Sequence, residues 1–349
     1  MNSLCGINLA GHALRREGHD YEYVYAEPED PAALTQIDRL ARAGSVRRLL
    51  QEARIGRVGQ HPEGFDSCRF NPDELKSRFG VEVIQIELEE VFERARRVDP
   101  KEVDRLLEEL AQRLDGLNQL DPTALHGTLG SYVALKQIAG ERRLHGMAVR
   151  CWPQFFTDLG CAACGAMSML SDEGIPCSCE ADVNGTVTQL ILQGLSGEPA
   201  FGSDVVSVDR ERNAAILWHC GLAPLCMADP VVKARGTIHS NRLLPLLMEF
   251  PLKPGRVTLS RLSESGGRFR LVVGSGEMLR APLSFSGTSG LLCFDQPVSE
   301  VLDTIMAEGL EHHVSITYGD VSPDLLALAK MIGLEVVHLS ASHPLPGKG

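Results

Sequence analysis

Helical and extended patterns alternate along the first 200 residues of the chain. Runs rich in aromatic and β-branched residues predict strands at 21–26, 54–60 and 81–88. A helix is predicted over about 31–53, and a second from Asn71-Pro72 to Gly80, since Asn, Pro and Gly mark helix ends in that order. A charged segment at 89 to about 115 predicts a solvated helix. Repeated strand–helix units favour a parallel sheet covered on both faces, so we predict a doubly wound α/β domain over 1–200.

The pattern changes after about residue 200, where short β-rich runs are separated by Gly and Pro. These runs lie at 214–221, 255–263 and 269–279, and they predict an antiparallel sheet or small barrel. One α/β unit closes this domain, 201–349: a strand at 312–319, a helix between a Ser322 cap and Gly333, and a strand at 334–339. We expect the tail, 340–349, to be frayed.

Charge and composition exclude several classes of protein. The 34 Lys and Arg against 46 Asp and Glu leave a net charge of −12 without any basic run, which disfavours a nucleic acid or an anionic membrane as partner. The most apolar run, 243–252, is interrupted by two prolines and a glutamate, so no transmembrane span is expected. The start lacks the plan of a signal peptide, and ten cysteines then indicate reduced thiols in the cytoplasm. Because the chain opens on a helical pattern with no strand ahead, we expect an upstream strand, and with it an upstream domain, to be missing.

Two carboxylates stand two residues apart in the stretch "GIPCSCEADVNGTVTQLILQGLSG", residues 174–197. In an extended segment Ser178, Glu180 and Asp182 share one face. A helix follows with an apolar stripe that starts at Val183, so the acids lie at the carboxyl end of a strand, where open α/β folds bind ligands. The alternative is structural, because Asp is a preferred helix N-cap. The local sequence leaves both roles open for Asp182.

A histidine pair precedes the strand of the last α/β unit. Alternation places His313 on the polar face with Ser315 and Thr317, and His312 nearer the core with Val314. His219 ends a strand of the β-rich part. Each of these histidines could be functional or structural.

Five cysteines fall within 29 residues, which raises the possibility of a thiolate metal site. Only one CxxC occurs, Cys161 to Cys164, and it lies in a helical pattern, so buried free thiols are the favoured interpretation. The five are Cys151, Cys161, Cys164, Cys177 and Cys179.

Several segments, in the same order along the chain, resemble the L-fucose/L-arabinose isomerase superfamily. They are "RIGRVGQHPEGF", "AVRCWPQFFTDLG", "CEADVNGTVTQLILQ", "LWHCGLAP" and "LEHHVSITYGD", and together they span about residues 50–340. The resemblance implies manganese-dependent aldose–ketose isomerases of three domains, of which this chain would lack the first and part of the second. It also implies metal ligands at Asp182, His313 and residue 154, where Gln154 replaces the family's glutamate, and a sugar-site histidine at His219.

We therefore expect a homo-oligomeric sugar isomerase that works through an enediol with Mn²⁺ or another divalent cation. Asp182 and Glu180 are the candidates for proton transfer, and the sugar pocket would be shaped by four further side chains: Trp152, Gln154, His219 and His312. An amide cannot accept a proton, so Gln154 removes one base unless Glu180 or Asp158 replaces it. This departure leaves a rival hypothesis, a sugar-binding or regulatory relic without turnover.

Overall fold

The computed structural model describes residues 3–19 and 21–339. Its first part contains a parallel sheet of four strands in the order β2-β1-β3-β4. The strands are β1 (Arg54–Val58), β2 (Glu82–Ile86), β3 (Gly146–Val149) and β4 (Cys177–Ser178). The predicted parallel sheet is confirmed.

Nine helices of the described residues belong to this part. They are α1 (Ser3–Arg16), α2 (Pro31–Glu52), α3 (Pro72–Phe79), α4 (Leu88–Arg97), α5 (Pro100–Arg113), α6 (Pro122–Arg142), α7 (Gln154–Thr157), α8 (Cys164–Asp172) and α9 (Val183–Ser196). The predicted ends of α3 are confirmed: Asn71 accepts hydrogen bonds from two first-turn amides, and Gly80 closes the helix at a φ of 85°.

Two expectations about these elements are wrong. The segment 21–26 forms no strand, and its tyrosines, Tyr21, Tyr23 and Tyr25, are exposed. The single helix expected over 89–115 is two helices, because Pro100 lacks an amide hydrogen and forces Asp99 into an extended conformation, in which it caps α5.

The second part is a closed barrel of six antiparallel strands. They are β5 (Ala200–Asp209), β6 (Ala214–His219), β9 (Gly255–Ser265), β10 (Arg268–Leu279), β11 (Thr288–Phe294) and β12 (His313–Tyr318). Closure leaves no open edge within the ring. The predicted β-rich barrel is confirmed.

Further elements extend the barrel at its sides. They are β7 (Arg235–Thr237), β8 (Leu247–Pro251), α10 (Val298–Glu308), α11 (Ser322–Ile332) and β13 (Glu335–His338). The closing unit β12–α11–β13 is present, and Gly333 ends α11 as expected, with a φ of 65°. Ser322 is not the cap: Val321 holds that position, and the Ser322 hydroxyl lies 2.6 Å from that of Ser275.

One hydrophobic core runs from the sheet into the barrel, with Val58 and Met147 on one side and Phe201 and Leu259 on the other. Helix α9 is buried along most of its length and contacts both β3 and β12. The start of α9 therefore lies between the two layers. The division at 200/201 stays a prediction, since one core spans both parts, and the tail 340–349 lies outside the described residues. Among the described helices, none has the length and apolar character needed to cross a bilayer.

Candidate active site

The side chains singled out from the sequence converge where the carboxyl edge of the parallel sheet faces the barrel. Trp152 follows β3, and Glu180 and Asp182 follow β4. From the barrel, His313 begins β12 and pairs in register with Asp204 of β5. Each layer thus supplies half of one polar cluster.

The acidic stretch reaches the cluster by a tight turn and not by strand alternation. Strand β4 ends at Ser178, and Glu180 and Ala181 then adopt left-handed conformations with φ of 59° and 54°. The expectation of an extended segment through Asp182 is therefore wrong. Such conformations cost non-glycine residues free energy and persist only where the surroundings impose them.

Asp182 combines the two roles that the sequence left open. Its Oδ1 accepts a hydrogen bond from the Gly185 amide at 2.9 Å, so it is the N-cap of α9. Its Oδ2 lies 3.0 Å from Nδ1 of His313. A Cβ on Gly185 would lie 2.5 Å from Oδ2 of Asp182, which explains the glycine in the first turn.

Arg261 of β9 neutralises Asp182 inside the protein. Its guanidinium donates to both carboxylate oxygens, at 2.5 and 3.1 Å, and the side chains of both residues are 1% exposed. Burial would raise the pKa of Asp182, but Arg261 and His313 hold it well below its usual range. Asp182 is therefore an ionised carboxylate with every acceptor direction occupied.

Glu180 lies on the other side of the His313 ring. It accepts hydrogen bonds from the Trp152 indole at 3.2 Å and from Nε2 of His312 at 3.1 Å, and its Oε2 lies 3.8 Å from Nε2 of His313. Burial alone would raise the pKa of Glu180, but the hydrogen bond from His312, the His313 ring and the Trp152 N–H lower it. Glu180 is thus held ionised with a fixed orientation.

The two neighbouring histidines differ from the expected arrangement. The His313 side chain is 6% exposed and the His312 side chain 35% exposed, so the placement of His312 nearer the core is wrong. The reason is that β12 begins at His313 and the alternation does not extend to its predecessor. His312 is instead held by the Ser67 hydroxyl at 2.8 Å and by Glu180.

Four residues offer ligand atoms that all lie within 4.8 Å of one another: Cys68, Glu180, His312 and His313. Asp204 adds a further oxygen, because its Oδ1 lies 3.8 Å from Nε2 of His313 and is buried with no hydrogen-bond partner among the described residues. The cluster therefore contains a buried acceptor oxygen, on Asp204, that no donor of the described residues satisfies.

The other predicted site residues lie at the margin of this cluster. Oε1 of Gln154 accepts a hydrogen bond from Nε of Arg150 at 2.9 Å. His219 is 6% exposed, and its ring centroid lies 5.6 Å from that of His313. The role predicted for Gln154 as a ligand remains a prediction.

The five clustered cysteines are all buried, and none of them belongs to a group of three or more metal-type donors within the described chain. Two sulfur pairs are close, Cys151 with Cys179 at 2.6 Å and Cys164 with Cys220 at 3.4 Å. Burial raises the pKa of Cys161 to about 11. That thiol is protonated at neutral pH and packs as a small apolar side chain.

Sequence reasoning missed Cys68, Asp204 and Arg261. A signal existed for Arg261, because alternation along "VTLSRLS" puts it on the same face as Val257 and Leu259, and a charge on a buried face requires a partner. Asp204 is the one acid between Ala200 and Val208 of β5. Cys68 ends a short 3-10 helix, Asp66–Cys68, and no pattern relates it to the acids.

Residues 248–340 match the family model described as "L-fucose isomerase, C-terminal domain". The matched segment contains β9 to β12 of the barrel, including the histidine that meets the carboxylates of the sheet. The barrel part of the chain is therefore similar to the C-terminal domain of a class of sugar isomerases.

Relatives that match nearly all of this chain define the family more closely. A sulfoquinovose isomerase of Priestia aryabhattai is 34% identical over 336 residues, covering 96% of this chain and 75% of the relative. A second, from Alkalicoccus urumqiensis, is 33% identical over 342 residues, covering 98% and 77%. An L-arabinose isomerase of Nocardioides sp. is 24% identical over 368 residues, covering 98% and 72%. The chain belongs to the fucose/arabinose isomerase-like family, as its motifs predicted.

Proposed function

We propose that this protein is a divalent-metal-dependent aldose–ketose isomerase that moves a sugar carbonyl between C1 and C2 through an enediol. The observation that carries the proposal is the convergence of Glu180, Asp182, Asp204 and His313 between sheet and barrel. The names of the relatives, sulfoquinovose isomerase and L-arabinose isomerase, support the reaction class.

The donor set fits a hard divalent cation such as Mn²⁺. Carboxylates and imidazoles suit manganese, and the unpartnered Oδ1 of Asp204 beside Nε2 of His313 is an acceptor that a cation would satisfy. Burial raises the pKa of Cys68 far above neutrality, so this thiol stays protonated and is a poor ligand. The residues that would hold the ion are therefore Glu180, Asp204 and His313, with His312 as a further nitrogen donor.

Asp182 has a different role in this proposal. Its carboxylate accepts from Nδ1 of His313, the arrangement by which carboxylates orient histidine ligands and fix their tautomer. Arg261 keeps Asp182 ionised. A cation bound on the other ring nitrogen would polarise the sugar oxygens and stabilise the negative charge of an enediolate.

Glu180 is the proposed group for proton transfer between C1 and C2. It is ionised, fixed by Trp152 and His312, and located in the cluster. Of the two acids considered as substitutes for the glutamate absent at Gln154, Asp158 is exposed and hydrogen-bonded to Thr157. Glu180 is therefore the residue proposed to supply the base that Gln154 cannot.

We also propose a cytoplasmic homo-oligomer. All ten cysteines are free, which suits a reducing compartment. Helix α1 exposes Leu4 and Leu9 at 58% and 65%, an apolar surface that a second copy could cover. Light scattering coupled to size exclusion tests the oligomer, and a mass equal to the 38.0 kDa of one chain would contradict it.

Isotope exchange tests the activity. The protein is incubated in deuterated water with Mn²⁺ and a panel of aldoses that includes sulfoquinovose and arabinose. Deuterium at C1 or C2, lost after chelation and restored by Mn²⁺, is the expected result, since label enters only through an enediol. Sugar binding without exchange would refute the isomerase and support the relic.

A further inference from the structure

Arg242 is a half-buried arginine that stacks on two aromatic rings beside the candidate site. Its guanidinium carbon lies 4.7 Å from the ring centroid of Trp152 and 5.2 Å from that of Phe156. Within residues 3–19 and 21–339, no carboxylate lies within 4.0 Å of this guanidinium. The guanidinium makes cation–π contacts with the faces of two aromatic rings. Its N–H groups remain available to donate hydrogen bonds to a ligand.

The position of Arg242 is fixed by the loop that carries it. His239 is buried, its carbonyl accepts from the Leu243 amide at 2.8 Å, and its amide donates to the Leu244 carbonyl at 2.9 Å. The His239 ring also packs edge-on against Phe156, with centroids 5.3 Å apart. The loop and the two rings therefore place the guanidinium before any ligand arrives.

Trp152 connects Arg242 to the reacting groups. The same indole that lies under the guanidinium donates its N–H to Glu180 at 3.2 Å. The other arginines beside the cluster are committed, Arg261 to Asp182 and Arg150 to Gln154 and loop carbonyls. Arg242 thus lies one indole ring away from the proposed proton-transfer group.

We propose that Arg242 selects acidic sugars by binding a sulfonate or phosphate at the end of the substrate remote from C1. The inference rests on the isomerase function proposed above. The carboxylate of Glu180 repels an anionic sugar, and a guanidinium with free donors offsets that repulsion. Arginine suits this role because its planar fork donates two parallel hydrogen bonds to a tetrahedral oxyanion.

The test compares sulfoquinovose, glucose 6-phosphate and glucose as substrates of the wild type, Arg242→Gln and Arg242→Lys. Arg105→Gln is the matched control, since Arg105 is an exposed arginine on α5. We expect Arg242→Gln to lower the ratio of kcat/KM for the acidic sugar over glucose by about 10–100-fold, mainly through KM, because a charge-assisted bidentate contact is lost. The ratio for Arg242→Lys should lie between those of the wild type and Arg242→Gln. The Arg105→Gln control should keep the wild-type ratio.

The outcomes separate this inference from the proposed function. A ratio unchanged in Arg242→Gln, or an equal loss for acidic and neutral sugars, would overturn the role of Arg242 while leaving the isomerase intact. If the wild type isomerises none of the sugars, the proposed function fails, and calorimetric binding of sulfoquinovose decides the inference alone: binding lost in Arg242→Gln supports it, and equal binding refutes it. Whether sulfoquinovose or glucose 6-phosphate binds more tightly identifies the anion.

Discussion

The two halves of the candidate site are built in different ways. In the barrel half, Asp204, Arg261 and His313 lie within strands, and the ladder pairs His313 directly with Asp204. In the sheet half, Trp152 and Glu180 lie after strand ends, and Glu180 has a φ of 59°. The strand register positions the side chains of the barrel half, whereas turns beyond the strand ends position those of the sheet half.

This difference separates fixed groups from adaptable ones. A strand inside a closed barrel has its backbone hydrogen bonds satisfied on both sides, so the side chains on it are held by the whole ladder. A turn that follows a strand can aim one side chain without disturbing its neighbours. The charge-holding residues are on the strands, and the proposed proton-transfer residue is on the turn.

The largest expected effect comes from removing the base in the turn. Glu180→Gln keeps the size of the side chain, and its amide oxygen can still accept the hydrogen bond from the Trp152 indole, but it cannot accept a proton. We expect kcat for isomerisation to fall by about 10²–10⁴-fold. Steady-state kinetics with saturating Mn²⁺ measure it.

Glu264→Gln is the matched control. Oε2 of Glu264 accepts from the Asn71 amide and from the Asn184 side chain, contacts that an amide oxygen can replace. Its kcat should stay within a few-fold of wild type. Equal losses in the two variants would show that Glu180 acts through general electrostatics and not as a base.

The sequence predicted the barrel half of the site better than the sheet half. Alternation placed the barrel strands, and it placed His313 on a polar face, because side chains in a strand point to one side every second residue. The same rule failed at Glu180, since it assumes an extended backbone, whereas Glu180 and Ala181, one residue beyond the end of β4, are left-handed.

Contacts between distant segments were beyond local patterns. Arg261 meets Asp182 across 79 residues, and Cys68 approaches Glu180 across 112. Periodicity shows which face a side chain occupies but not which segment lies opposite. The resemblance of motifs supplied the pairing of Asp182 with His313, which no local rule contains.

The second effect in size is a loss of folding stability, and it is tested by comparing two arginines of strand β9. Arg261→Met leaves the buried Asp182 carboxylate without its cation, and breaking a buried pair costs about 3–5 kcal/mol of unfolding free energy. Arg256→Met breaks the exposed pair with Asp295, where the partners are 36% and 45% exposed, and should cost under about 1 kcal/mol. Urea unfolding at neutral pH measures both. Similar losses would show that burial does not set the strength of the Asp182 pair.

The third effect in size is a change in Mn²⁺ affinity, and it identifies the ring nitrogen of His313 that binds the cation. If Asp182 only orients His313, Asp182→Asn should weaken Mn²⁺ binding by about 10–100-fold, and His313→Gln should weaken it much more. Metal titration of the folded variants gives both affinities. Equal losses would make Asp182 a direct ligand, as the motif resemblance implied, and would place the cation at Nδ1.

The smallest effect is a pH dependence that the same buried pair imposes on stability. The pKa of Asp182 is depressed in the folded protein, so its contribution is complete above the unfolded-state pKa of about 3.9 and is lost as the pH falls below it. In Arg261→Met the folded pKa of Asp182 rises, and less stability is lost in acid. The gap in unfolding free energy between wild type and Arg261→Met should therefore narrow by about 1 kcal/mol between pH 7 and pH 3. Carboxylates that do not lie beside Arg261 cancel in this difference, and the same titration of Arg261→Met/Glu311→Gln removes the contribution of Glu311, whose Oε2 lies 3.8 Å from Nε of Arg261. A gap that stays constant would mean that Asp182 is not ionised against Arg261 in the native state.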